Sequence, residues 1–267
     1  GGRRIIGDRE EEINAFIPQE YWTLDVQFQI PGEKKPLVAH FYGKEKQKMN
    51  LSSQEEINQV LADLKDAQYE VAEVKKGQRT KKAPLPFTTS TLQQEAAKVL
   101  NFSTSKTMRL AQQLYEGVDI KGNGTVGLIT YLRTDSTRIS GEANEAARDY
   151  ITAEYGEKYT AKTDITENKN KKAQDAHEAI RPTDITRTPF AMKESLSRDQ
   201  FRLYQLIWKR FTASRMQPAV YETTSVKIKG NDYLFTVAAS RVKFDGFMSV
   251  YTQEDDEKKE NNTLVRS

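Results

Sequence analysis

Between Gly77 and Pro86 the chain reads GQRTKKAPLP, and the periodicity of the sequence changes across it. The stretch is basic, carries two prolines and keeps no apolar period, so it reads as a linker. Upstream, YWTLDVQFQI (21–30) alternates, with Trp22, Leu24, Val26, Phe28 and Ile30 on one face; PGEKKP then supplies a turn and LVAHFYG a returning strand. Ser53 and Glu56 form a capping box for a helix through Ile57, Val60, Leu61 and Leu64, after which YEVAEVKK returns to strand composition. Downstream the period is helical. Ser90 and Gln93 predict a capping box for a helix carrying Leu92, Ala96, Val99 and Leu100 to Asn101. FSTS caps a second helix, whose buried side reads as Met108, Ala111, Leu114 and Tyr115 and which stops at Gly117.

An Asn123-Gly124 turn and the strand GLITYLR follow, so this part has the pattern of a helix-turn-helix with a wing. A third helix starts after Ser140, with Ala143, Ala147, Tyr150 and Ile151 inward, and stops at Gly156. A fourth is capped by Ser197 with Gln200 and runs through Phe201, Tyr204, Ile207, Trp208 and Phe211 until Met216 and Pro218. TTSVKIKG, YLFTVAAS and RVKFDGFMSVY are strands again, too few for a good sheet alone but able to complete the edge of the first hairpin. The predicted class is α+β: a discontinuous β-rich domain, 10–85 with 219–251, interrupted by a mostly helical, winged-helix-like domain at 86–218. Two chain crossings between domains make a hinge rather than a flexible tether.

Composition narrows the chemistry. The 267 residues carry 41 Lys and Arg against 38 Asp and Glu, so the net charge of +3 does not by itself announce a polyanion binder. Without cysteine there is no disulfide framework, thiolate nucleophile or Cys-based zinc site, and the histidines, His40 and His177, are too few for a His-rich metal site. No apolar run approaches the roughly 20 residues of a membrane span, and GGRRIIGDREEE has no signal-peptide core. The expected location is cytoplasmic. The start lacks Met, Asp8 to Ile13 reads as the tail of a helix, and TQEDDEKKENNT cannot bury enough surface to fold alone, so a piece of a larger protein is expected.

In GLITYLRTDS (127–136), Thr130, Arg133, Thr134, Asp135 and Ser136 crowd polar groups around Tyr131 where a packed strand would carry branched apolar residues. On a strand Tyr131 and Arg133 would share a face. A hydroxyl beside a planar cation suits a phosphodiester: guanidinium grips phosphate oxygens while the activated phenol attacks phosphorus. The alternative is a half-buried packing tyrosine. In DAHEAIRPT (175–183) a helix ending at Pro182 would put His177 and Arg181 on one face, aimed at the same anion. Equally, Glu178 and Arg181 could be an ordinary ion pair. KNKKAQ, upstream, reads as a solvated loop within reach of a backbone phosphate.

GLITYLRTDS, DAHEAIRPT and PFTTSTLQQEA, in that family's order, resemble bacterial DNA topoisomerase I, the type IA topoisomerases. The likeness runs from REEEINAFIPQEYW to RVKFDGF, and Leu132 stands where topoisomerase III relatives tend to have proline. The resemblance implies that Tyr131 attacks single-stranded DNA, becomes joined to the 5′ phosphate and leaves a 3′ hydroxyl for resealing, and that Arg133 contacts the scissile phosphate. It implies DNA contacts for His177, Arg181, Thr134 and Asp135, an arch and hinge for the β-rich domain, and relaxation of negatively supercoiled DNA at the nucleoid. It assigns Mg²⁺ to a Toprim domain elsewhere in the polypeptide, so that no cofactor is expected in this chain and little activity without that partner. No membrane partner is implied.

Two rivals make different predictions. A winged-helix regulator would bind duplex DNA and give Tyr131 no role. A tyrosine recombinase places its tyrosine after the His and Arg motif, whereas Tyr131 precedes His177. A purely structural module remains if the motif matches are accidental.

Overall fold

The computed structural model describes residues 13–16, 22–29, 36–161 and 177–252. In chain order the strands and helices are β1 (Ile13–Phe16), β2 (Thr23–Phe28), β3 (Leu37–Lys44), β4 (Gln47–Lys48), α1 (Gln54–Leu64), β5 (Tyr69–Lys81), α2 (Thr89–Glu95), α3 (Thr104–Glu116), β6 (Val118–Ile120), β7 (Gly124–Val126), α4 (Gly141–Tyr155), α5 (Pro189–Met192), α6 (Arg198–Ser214), β8 (Ala219–Gly230) and β9 (Tyr233–Phe244). They divide into two units. One comprises the described residues up to Arg79 with Tyr221–Val242, the other Thr80–Val220 with the described residues from Lys243.

The first unit is a sheet in the order β1-β2-β3-β9-β8-β5, with β4 on β3. Alternation in β2 buries Leu24, Val26 and Phe28, and β3 returns antiparallel with Val26 opposite Ala39. β9 pairs antiparallel with β3, so the late strands do complete the early hairpin. The capping serine holds α1 in a slightly different way from a reciprocal box: Ser53 Oγ accepts from Glu56 N, but the Glu56 carboxylate reaches back to Ser52 N at 2.9 Å. Ile57, Val60 and Leu64 of α1 join Leu24, Phe28, Tyr69, Ile228 and Phe235 in one apolar cluster. Its centre is aromatic, with the Tyr69 ring edge-on to Phe28 at 5.1 Å and to Phe235 at 6.0 Å.

Gly230 is fitted to that ring. A Cβ there would stand 2.5 Å from Tyr69 Cε1, and the ring, buried on all sides, has no room to retreat. Gly230→Ala is therefore expected to destabilise this unit by about 1–3 kcal/mol through overpacking. Urea unfolding followed by Trp22 fluorescence in a Trp208→Phe background measures it; an unchanged midpoint would contradict the prediction.

Several sequence expectations are corrected here. The presumed linker is strand as far as Lys81, because β5 runs on beside β8 with nearly every side chain from Glu73 onward exposed, and exposure on both faces erases the apolar alternation that marks a strand. DGFMSVY is not strand: β9 ends at Phe244 and Gly246–Ser249 forms a 3₁₀ turn, with Phe247 N bonded to Gln217 O at 3.0 Å. Residues from Lys243 accordingly pack with the helical unit, where Asp245 accepts from Tyr159 Oη at 2.8 Å. Of the segments read as a helix tail, the first hairpin's turn, the basic loop KNKKAQ and the charged C-terminal stretch, all but Ile13, Pro36 and Thr252 lie outside the described residues.

The second unit is mostly helical. α2 is capped by a reciprocal Thr88/Thr91 box, two residues earlier than Ser90, and a π-helical turn, Ala96–Leu100, ends at Asn101 with φ 58°. Ser103, Ser140 and Ser197 cap α3, α4 and α6, the last with Gln200 completing the box. β6 and β7 form a small antiparallel hairpin after α3. α6 buries Leu203, Tyr204, Ile207, Trp208 and Phe211, and also Arg210, which donates to Leu85 O at 2.5 Å and to Tyr251 Oη at 3.1 Å while lying over the Phe87 ring. Among the described residues no helix is long and apolar enough to cross a membrane.

Candidate active site

Three extended segments of the helical unit, around Phe87, Thr130 and Ile180, are laced together by threonine hydroxyls. Isolated bridges pair Phe87 with Ile180 and Ile129 with Pro182, too few to make a sheet. Backbone groups in such irregular chain still need partners when buried, and a hydroxyl supplies both donor and acceptor. Thr130 N donates to Arg181 O at 2.9 Å, while its Oγ1 donates to Ala179 O at 2.7 Å and accepts from Arg181 N at 3.0 Å. Thr89 does the same on the other side: its Oγ1 donates to Leu132 O at 2.6 Å and accepts from Thr134 N at 2.8 Å. Thr183 Oγ1 donates to Gly127 O at 2.7 Å, and Leu128 N ties the segment to Leu114 O in the last turn of α3 at 2.8 Å.

The polar crowding around Tyr131 is thus partly a fastening. Strand β7 ends at Val126, so Tyr131 and Arg133 lie in irregular extended chain rather than on the expected strand. Alternation survives nonetheless. Leu132 is 1% exposed, whereas Tyr131 on one side is 46% exposed and Arg133 on the other is exposed too. Neither the Tyr131 hydroxyl nor the Arg133 guanidinium makes a hydrogen bond or ion pair among the described residues. Asp135 is exposed, while Thr134 Oγ1 accepts from Ser136 N at 3.1 Å and is occupied in a local turn.

DAHEAIRPT is not a helix over its described part. Residues 177–183 are extended, His177 is exposed, and its ring and Arg181 do not share a helical face. The ion-pair alternative is what the structure contains. Arg181 Nε and Nη2 hold the Glu178 carboxylate at 3.1 and 2.9 Å, and Nη1 donates to Pro182 O at 3.1 Å, so this guanidinium is spent inside the protein. The same carboxylate accepts from Ser140 N at 2.7 Å, at the start of α4. Burial alone would raise the Glu178 pKa, but the bonds from Arg181 and Ser140 N and the nearby charges of Arg181 and Arg138 outweigh it and hold it below the usual value. What the sequence reading missed here is Thr89 and the long-range bonds of Thr89, Thr130 and Glu178 to Leu132, Ala179 and Ser140, about 40 to 50 positions away, and Tyr115, read as buried but exposed and edge-on to Tyr131.

A family model for DNA topoisomerase matches residues 4–266. The chain belongs to the bacterial type IA DNA topoisomerases. Among solved structures, full-length topoisomerase I from Thermotoga maritima is 40% identical, with a TM-score of 0.69 over 90% of this chain. This topoisomerase sequence spans 37% of that relative's length. Among the described residues no group of three or more His, Asp or Glu side chains gathers where a metal ion could be held.

Proposed function

We propose that this topoisomerase chain carries the nucleophile for transient cleavage of one DNA strand. Tyr131 Oη loses its proton and attacks a backbone phosphorus; the Oη–P bond forms, the bond from phosphorus to the 3′ oxygen breaks, and that oxygen takes up a proton. The chain then holds the 5′ phosphate, and attack by the 3′ hydroxyl reverses the step. Because one phosphodiester is exchanged for another, no ATP is required. Arg133 neutralises the charge that builds on the phosphate oxygens, and His177 and Asp135 contact the flanking strand. Arg181 acts from a distance, by holding the segment that holds Thr130.

The observation that carries this reading is that Tyr131 and Arg133, on either side of a buried Leu132, are exposed and that neither the Tyr131 hydroxyl nor the Arg133 guanidinium has a hydrogen-bond or ion-pair partner among the described residues. A packing tyrosine would bury its ring, and a structural arginine would resemble Arg181. The β-rich unit would serve as arch and hinge, letting the tyrosine-bearing unit swing and relax negative supercoils. A Toprim region of the same polypeptide is the partner for proton transfer, and Mg²⁺ is chemistry it would supply. Family membership does not favour a winged-helix regulator.

The test mixes the chain with the amino-terminal region of a type IA topoisomerase, Mg²⁺ and a 3′-labelled single-stranded oligonucleotide. Label is expected to stay with the protein after denaturation in the mixture and to be nearly absent with the chain alone. Tighter binding to duplex than to single strands, with no adduct in the mixture, would overturn the proposal; full cleavage by the chain alone would remove the need for a Toprim partner.

A further inference from the structure

We infer that Tyr115 is a positioning residue for Tyr131, an inference that rests on reading Tyr131 as the nucleophile. Tyr115 lies in the last turn of α3, where helical spacing assigns it to the core, yet it is 40% exposed. Its ring lies edge-on to the Tyr131 ring, with centroids 5.2 Å apart and planes at 65°. Two half-exposed aromatics have no packing demand that brings them together.

The main chain arranges the meeting. Leu128 N bonds to Leu114 O at 2.8 Å, which docks the segment on the end of α3. Glycine is required just before it, because a Cβ at Gly127 would stand 2.8 Å from Tyr115 O. Thr130 and Leu132 are then pinned from either side by the bonds to Arg181, Ala179 and Thr89. That framework fixes the Tyr131 Cα but leaves two side-chain torsions open. The edge contact with Tyr115 restricts both, raising the fraction of time that Oη stands ready for in-line attack. The Tyr115 hydroxyl makes no hydrogen bond among the described residues, so the ring alone does this.

The experiment separates rate from binding. Single-turnover adduct formation is measured at saturating single-stranded DNA in the mixture with the amino-terminal region and Mg²⁺, and the DNA Kd is measured separately in a Tyr131→Phe background. Tyr115→Ala is expected to slow the saturated rate roughly two- to tenfold, the scale of one aromatic edge contact, with Kd changed less than twofold. Tyr115→Phe should restore the rate. In the chain alone, the ring protons of ¹³C-labelled Tyr131 should shift in Tyr115→Leu. An unchanged rate in Tyr115→Ala, a Phe variant as slow as the Ala variant, or an unmoved Tyr131 resonance would overturn the inference. Weaker DNA binding at an unchanged rate would overturn it too, making Tyr115 a base-stacking contact. Failure of the wild-type mixture to form any adduct would instead sink the assignment of Tyr131 itself, and the positioning role with it.

Discussion

Tyr131→Phe should take adduct formation to background while leaving stability within about 0.5 kcal/mol, the range for a surface change away from any cap, cavity or buried bond. The substitution removes one oxygen that has no partner among the described residues and keeps the ring that meets Tyr115. Chemistry should disappear; fold and single-strand binding should not. Arg133→Ala should be less absolute. Losing one preorganised group that stabilises transition-state charge typically costs about 10²- to 10³-fold in rate, and lysine should recover only part of it because an ammonium cannot grip two phosphate oxygens in one plane. Single-turnover cleavage in the reconstituted mixture, beside thermal unfolding of each variant, provides the comparison. A Tyr131→Phe chain that still became labelled would show that another residue attacks.

The difference between these two side chains and Arg181 explains what could be seen in the sequence. Hairpins and capped helices were legible because their signals are local: alternation at Leu24, Val26 and Phe28, or a serine three residues before the amide it caps at Ser53, Ser103, Ser140 and Ser197. Exposure of Tyr131 and Arg133 about Leu132 follows from extended backbone, whether or not a sheet forms. Other features depend on remote chain. The cap of α2 is Thr88, boxed reciprocally with Thr91, and it directly follows Phe87, which bridges Ile180 more than ninety positions away. The i,i+4 spacing of His177 and Arg181 pointed to a helix, but the residue before proline is biased away from helical angles, and Thr130 offers residues 179–181 extended bonds from about fifty positions away. The strand through Gln78 and Arg79 was invisible because both its faces are wet.

Glu178 shows how much of the site rests on such remote bonds. Its carboxylate satisfies two Arg181 nitrogens and Ser140 N, with the paired side chains 13% and 20% exposed. Glu178→Ala would leave the Arg181 guanidinium largely buried and uncompensated and the α4 entry amide without its acceptor. The expected loss is about 2–3 kcal/mol, since removing one partner of a buried pair leaves the other's desolvation unrelieved. Trp208, bonded to Ile185 O in the same unit, reports the transition in a Trp22→Phe background. The acid limb gives an independent check. A carboxylate whose folded pKa is depressed contributes stability above its ordinary value of 4.5, and loses it as pH falls through the folded value. Wild type should therefore weaken on acidification below about pH 4.5 by an increment that Glu178→Ala lacks. Stability of the alanine variant within about 0.5 kcal/mol of wild type at pH 7, or an identical acid limb, would mean that the threonine lacing holds the Tyr131 segment without this ion pair.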